Sequence, residues 1–179
     1  MKTLTIINAS PRKNGNTQKI LDIFINKFDG IIHTYNIYEE QPAPCRACNY
    51  CEANGKCFMD DMDKIVENAF SSDYIVFASP IYCYSFPAPM KAFLDRLQPY
   101  YSDEKYRNPT FTRKGFVLAS CGKSGKFGVD VIEKQSRIAF IELAASFEGM
   151  YLFANTDSCD VLTSEAEEEI RKLSENFFT

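Results

Sequence analysis

The sequence predicts an α/β fold in which a three-layer, doubly wound, five-stranded parallel sheet carries helices on both faces. Two observations carry that prediction. Apolar runs and helical stretches alternate strictly from end to end, the pattern of a parallel sheet covered on both sides. The stretch Tyr74-Ile-Val-Phe-Ala78 is moreover continuously apolar, as expected of a strand buried on two faces.

The elements follow in order. Thr3 to Asn8 reads as the first strand. From Asn16 onward Ile20, Leu21, Phe24 and Phe28 recur at helical spacing. Ile31 to Ile37 is the second strand, and the aperiodic stretch 41–58, with two prolines and four cysteines, reads as an inserted loop. Asp60 or Asp61 caps a helix with Met62, Ile65, Val66, Ala69 and Phe70 on one face. After the Tyr74–Ala78 strand, a helix starting near Pro89 buries Met90, Phe93, Leu94 and Leu97. Tyr100 to Thr112 is a polar and aromatic excursion. Phe116 to Ala119 is the fourth strand, Asp130 to Phe147 the next helix, and Met150 to Ala154 the last strand. Ser164 and Glu167 form a capping box for a final helix that turns Ile170, Leu173 and Phe177 inward.

The chain's 179 residues fit one domain, 1–179, with the cysteine-rich insertion at 41–58. A net charge of −4 lacks the electrostatic footprint of a nucleic-acid binder. No apolar run approaches the roughly 20 residues of a membrane span. The first strand begins without a signal peptide ahead of it, so the cytosol is the expected compartment. Seven cysteines fit a reducing compartment as thiols or ligands, not as disulfides.

Right-handed crossovers place the strand-to-helix loops at one edge of such a sheet, where ligands bind. The loop Asn8-Ala-Ser-Pro-Arg-Lys-Asn-Gly-Asn-Thr17 offers the hydroxyls of Ser10 and Thr17, the amides of Asn14 and Asn16, and the cations Arg12 and Lys13. It leads directly into a helix N-terminus, an anion site. It is neither a Walker loop nor a dinucleotide fingerprint, and its hydroxyls suit a phosphate monoester. The competing reading is a polar surface loop with Asn16 as an N-cap. Pro80 stops the buried third strand, and Ile81 and Tyr82 place apolar and flat surface at the same edge. Tyr82, Tyr84 and Phe86 read equally as side chains packed beneath neighbouring helices.

That phosphate loop, with Ala78-Ser-Pro-Ile-Tyr82 and Met90-Lys-Ala-Phe-Leu-Asp-Arg-Leu97, resembles the NADPH-dependent FMN reductase family of flavodoxin-like proteins across nearly the whole chain. The resemblance implies strand order 2-1-3-4-5, FMN as cofactor, and a homodimer or homotetramer. It implies that Ser10, Arg12, Asn16 and Thr17 hold the phosphate, and that Pro80, Ile81 and Tyr82 line the flavin ring. Ser120, Cys121 and Gly122 then close the other side, and Ser85 joins the ring-side set. Where the family has small residues after the Tyr, this chain has Cys83-Tyr-Ser-Phe-Pro87.

Cys45-x2-Cys48-x2-Cys51-x5-Cys57 has the compact spacing with which one short segment wraps a cubane iron–sulfur cluster. Structural zinc more often uses two separated pairs. Free or redox-active thiols and zinc stay open beside a [4Fe–4S] cluster. The run resembles that of the iron–sulfur flavoprotein branch of the same family. Cys83 and Cys121 fall in the presumed flavin loops, whereas Cys159 reads as a small buried hydrophobe. The lone His33 lies in a strand, so a hydrolase triad has no support. Glu165 to Glu169 is a solvated helix face.

The leading reading is an FMN-dependent oxidoreductase using NAD(P)H, in which electrons also pass through a cluster. The alternative is a flavodoxin-like electron carrier reduced by a partner redox protein, and a weaker third is a structural metal protein using the cysteine loop alone.

Overall fold

Strand β3 (Tyr74–Pro80) is buried along its whole length, and its side chains divide by period two between separate cores. Tyr74, Val76 and Ala78 enter one core, and Ile75 and Phe77 the other. Parallel strands flank it: β1 (Lys2–Asn8) on one side and β4 (Arg113–Ser120) on the other. With β2 (Gly30–Asn36) and β5 (Ala145–Phe153) at the edges, the order is β2-β1-β3-β4-β5, every pair parallel. The computed structural model describes residues 1–101, 104, 108–158 and 162–179. Cys159 and part of the Tyr100–Thr112 excursion lie outside the described residues.

Helices α1 (Asn16–Ile25) and α7 (Ser164–Phe177) cover one face, bringing Ile20, Leu21, Phe24, Ile170 and Phe177 onto Leu4, Ile6 and Phe116. Two short helices, α2 (Ile37–Glu40) and α3 (Tyr50–Asn54), follow β2. The other face is covered by α4 (Asp63–Ser71), α5 (Ala88–Asp95) and α6 (Lys126–Glu142). Phe77 of β3 stacks on Phe140 of α6 at 4.4 Å between ring centroids, and neither ring is exposed. The outcome is the expected three layers in the expected strand order. Among the described residues no helix is long and apolar enough to cross a membrane.

Element boundaries depart from the sequence reading at several places. The long helix α6 starts at Lys126, β4 starts at Arg113, and a short helix lies inside the 41–58 loop. Four more departures have a local physical reason. Ile37 starts α2 instead of ending β2, with Asn36 accepting the Tyr38 N–H as its cap. Neither Asp60 nor Asp61 caps α4; its N-cap is Met62, because the Asp61 carboxylate accepts from the Ala43 N–H and pairs with Arg96. Helix α6 stops at Glu142, and Ala144 turns left-handed at φ 53°, so Phe147 belongs to β5. Apolar residues from Ile141 to Phe147 satisfy a helix face and a buried strand alike, which is why their pattern misplaces the break. Last, α7 is capped one residue earlier than expected, by Thr163 Oγ1 accepting from Ala166 N at 3.2 Å.

Candidate functional site: a cavity at the carboxyl edge of the sheet

Hydrogen bonds beyond the strand ends draw the edge loops together. Ala9 N donates to Ala78 O at 2.7 Å, Ile81 N to Ser120 O at 2.8 Å, and Cys121 N to Phe153 O at 3.0 Å. Within the first loop, Ser10 N donates to Asn8 Oδ1 and Arg12 N to Ser10 Oγ, while Asn36 Nδ2 donates to Ser10 O. The loop's own hydrogen bonds therefore hold its shape. Helix α1 starts without a side-chain cap among the described residues; its N-cap is Gly15, not Asn16. The free N–H groups of that first turn and the positive end of the helix dipole point to an anion site.

Every predicted position except Ser85 lines one cavity of about 150 Å³: Ser10, Arg12, Asn16 and Thr17 from the first loop, Pro80, Ile81 and Tyr82 from the second, and Ser120, Cys121 and Gly122 from the third. Ser10, Thr17 and Ser120 are each buried, and Thr17 Oγ1 and Ser120 Oγ share a hydrogen bond of 2.8 Å. That bond uses one hydroxyl hydrogen and leaves the other to a ligand. Ser85 is elsewhere. It closes a two-residue turn with Tyr82 by paired backbone bonds of 3.0 Å, and its hydroxyl donates to Gln135 Oε1 of α6. Cys83 and Tyr84 occupy that turn at φ 48° and 63°, so the chain reverses direction there.

Gly15, Thr156 and Asp157 also line the cavity and were not singled out by the sequence. The last two follow β5, which is the neighbour of β4, so their loop lies beside the Ser120–Gly122 loop. Thr156 N donates to Cys121 O and Asp157 N to Gly122 O, zipping the two together. Gly125 stands at φ 67° ahead of α6, where a Cβ would meet Cys121 Sγ at 2.7 Å, so glycine is what lets the thiol sit there. Burial pushes the Cys121 thiol up, against backbone hydrogen bonds that favour the thiolate.

The cysteine loop forms a second cavity, of about 230 Å³, which Cys45, Cys48, Cys51 and Cys57 all line. It shares no residue with the first. Cys45 and Cys48 are exposed, Cys51 and Cys57 half-buried, and all four are free thiols. Among the described residues no three His, Cys, Asp or Glu side chains are gathered to hold a single metal ion. Tyr50 and Phe58 meet edge to face at 6.1 Å, yet both stay exposed. A larger hollow of about 480 Å³ beside α4 takes in Cys57 and Arg96 but nothing from the carboxyl-edge loops.

The chain is 36% identical over 104 residues to an iron–sulfur flavoprotein of Archaeoglobus fulgidus, a match covering 56% of this chain and 47% of that one. It is 39% identical over 97 residues to an iron–sulfur flavoprotein of Methanosarcina thermophila, covering 52% of this chain and 51% of the relative. The matches thus span about half the length of these curated relatives. Among solved structures, an FMN-dependent NADH-azoreductase of Bacillus anthracis in complex with FMN superposes with a TM-score of 0.69 over 100% of both chains at 16% identity, a likeness of fold. A family model described as NADPH-dependent FMN reductase matches residues 1–156. On that match, the chain belongs to the NADPH-dependent FMN reductase family.

Proposed function

We propose that this chain binds FMN through its phosphate at the β1–α1 loop and acts as an oxidoreductase drawing electrons from NAD(P)H. The observation that carries the reading is the convergence of the Ser10, Thr17 and Ser120 hydroxyls with the uncapped start of α1 in one cavity. A phosphate monoester presents several oxygens at once, and this set of donors answers them. Arg12 adds a cation to the same lining. At about 150 Å³ the cavity is smaller than the roughly 300 Å³ at which whole ligand pockets begin. It suits the phosphate and ribityl end, and leaves the ring to lie against Ile81 and the 42% exposed Tyr82 at the surface. The flavin, when bound, supplies the hydride chemistry. The chain's part is to grip the phosphate, present an apolar wall and keep the Cys121 thiol protonated at neutral pH.

The same reading assigns a [4Fe–4S] cluster to Cys45, Cys48, Cys51 and Cys57. Support comes from the cavity that all four line and from the buried Arg96 guanidinium beside Cys57, whose Nε has no partner among the described residues. The names of the relatives, iron–sulfur flavoproteins, point the same way. The test is anaerobic stopped-flow reduction of the FMN-loaded protein. Bleaching of the flavin band by NADPH or NADH supports the oxidoreductase. Bleaching by reduced ferredoxin alone assigns the chain to flavodoxin-like electron carriers instead.

A further inference from the structure

From Pro44 to Met59 no residue is buried, so the segment that carries the four cysteines has no apolar anchor in the core. Ala47, Asn49 and Gly55 adopt left-handed backbone there, and α3 is a single short turn. Such a segment is held by polar contacts or not at all. Among the described residues Arg96 makes most of them, and its partner Asp61 adds one from the Ala43 N–H. Arg96 follows α5, and its guanidinium is 1% exposed. Its Nη1 donates to Ala43 O at 3.2 Å and pairs with the Asp61 carboxylate. Its Nη2 donates to Met59 O at 2.9 Å and lies 3.6 Å from Cys57 Sγ. Ala43 is on the arm entering the loop; Met59 and Asp61 are on the arm leaving it. Asp61 is held in its charged form: burial opposes ionisation, but the Ala43 N–H and Arg96 outweigh it.

We infer that Arg96 is a positioning residue that clasps the two arms of the cysteine loop, bringing Cys57 to the cavity that Cys45, Cys48 and Cys51 also line. The inference rests on the cluster reading for its purpose, but the clasp itself is a property of the protein chain. A buried guanidinium is costly unless its donors are satisfied, and here the loop's own carbonyls and Asp61 satisfy them. The remaining donor, Nε, faces no acceptor among the described residues. Helix α5 follows the Tyr82–Ser85 turn and is about 12 Å long at 1.5 Å per residue, which sets the clasp at the end of the helix remote from the flavin cavity. Substitution of Arg96 is therefore expected to spare FMN binding.

The experiment compares wild type with Arg96→Lys, which keeps the charge and loses the planar fork. FMN affinity by fluorescence quenching reports an intact fold. Two further readouts are iron and sulfide per chain after anaerobic reconstitution, and the alkylation rate of Cys57 in metal-free protein by mass spectrometry. With FMN affinity within twofold of wild type, iron content is expected to fall at least fivefold and Cys57 alkylation to rise at least fivefold. A folded Arg96→Lys that matches wild type in both readouts overturns the clasp. Wild type taking up less than one iron per chain ends the cluster reading, and the alkylation comparison alone then decides the clasp. Should Arg96→Lys lose FMN as well, Asp61→Asn, at an exposed residue, is measured in its place. The same directions in that variant support the clasp, and wild-type values overturn it.

Discussion

Ser10, Thr17 and Ser120 stand on the ends of core elements and are almost wholly buried, whereas Cys45 and Cys48 project from a segment with no buried residue between Pro44 and Met59. The first cavity inherits its shape from β1, β3, β4 and α1 and from ladder bonds that run past the strand ends. The second depends on an arginine from a different part of the chain and on the Asp61 carboxylate that it pairs with. A site on strand ends is as rigid as the core beneath it; a site on a polar loop is only as ordered as its few tethers. The cavity proposed for the flavin thus rests on the core, while the cysteine cavity rests on its tethers.

The largest expected effect shows what the first cavity stands on. Phe77→Ala removes a ring stacked on Phe140 beneath the β3 end and is expected to cost about 3–5 kcal/mol of stability, read by urea unfolding. A loss under about 1 kcal/mol would mean that the core does not set the cavity's rigidity. Next comes the grip itself. Ser10→Ala and Thr17→Ala each delete a hydrogen bond to a charged group, worth about 1.5–3 kcal/mol, so FMN affinity is expected to fall roughly ten- to a hundredfold in each. Titration of the double variant with wild-type affinity would move the FMN site elsewhere.

Thiol chemistry sharpens the comparison at a smaller scale. Burial raises the Cys121 thiol, so less thiolate is present at neutral pH, and its reactivity appears only as pH climbs through that raised value. Exposed Cys45 and Cys48 are expected to alkylate about tenfold faster or more, with mass spectrometry as the measurement. Equal rates would mean that the two cavities are equally open. The smallest effect is expected from Cys48→Ser in metal-free protein, within about 0.5 kcal/mol of wild type by thermal unfolding. A larger loss would show that the thiol is packed in the fold.

The same contrast explains what was legible in the sequence. Strand alternation and the Tyr74–Ala78 run announce the sheet because burial on two faces leaves a continuous apolar signal. The first loop was readable because its hydroxyls, cations and glycine sit between a strand and a helix. Thr156 and Asp157 were missed because their place beside Gly122 comes from the pairing of β4 with β5. Ser85 falls outside the lining of the cavity because Cys83 and Tyr84 take left-handed backbone without the glycine or asparagine that advertises such a turn. Arg96 lies within the Met90–Leu97 motif, but nothing local there points to the cysteine loop. Its partners Ala43, Cys57, Met59 and Asp61 lie 35 to 53 positions away, and only the fold assembles them.

The central claim is that the β1–α1 loop recognises a phosphate. Its most direct test is fluorescence titration of the same protein with FMN and with riboflavin, which differ by that group alone. Two or more charge-assisted hydrogen bonds at about 1.5 kcal/mol each predict FMN binding at least a hundredfold tighter. Equal affinities for the two would contradict it.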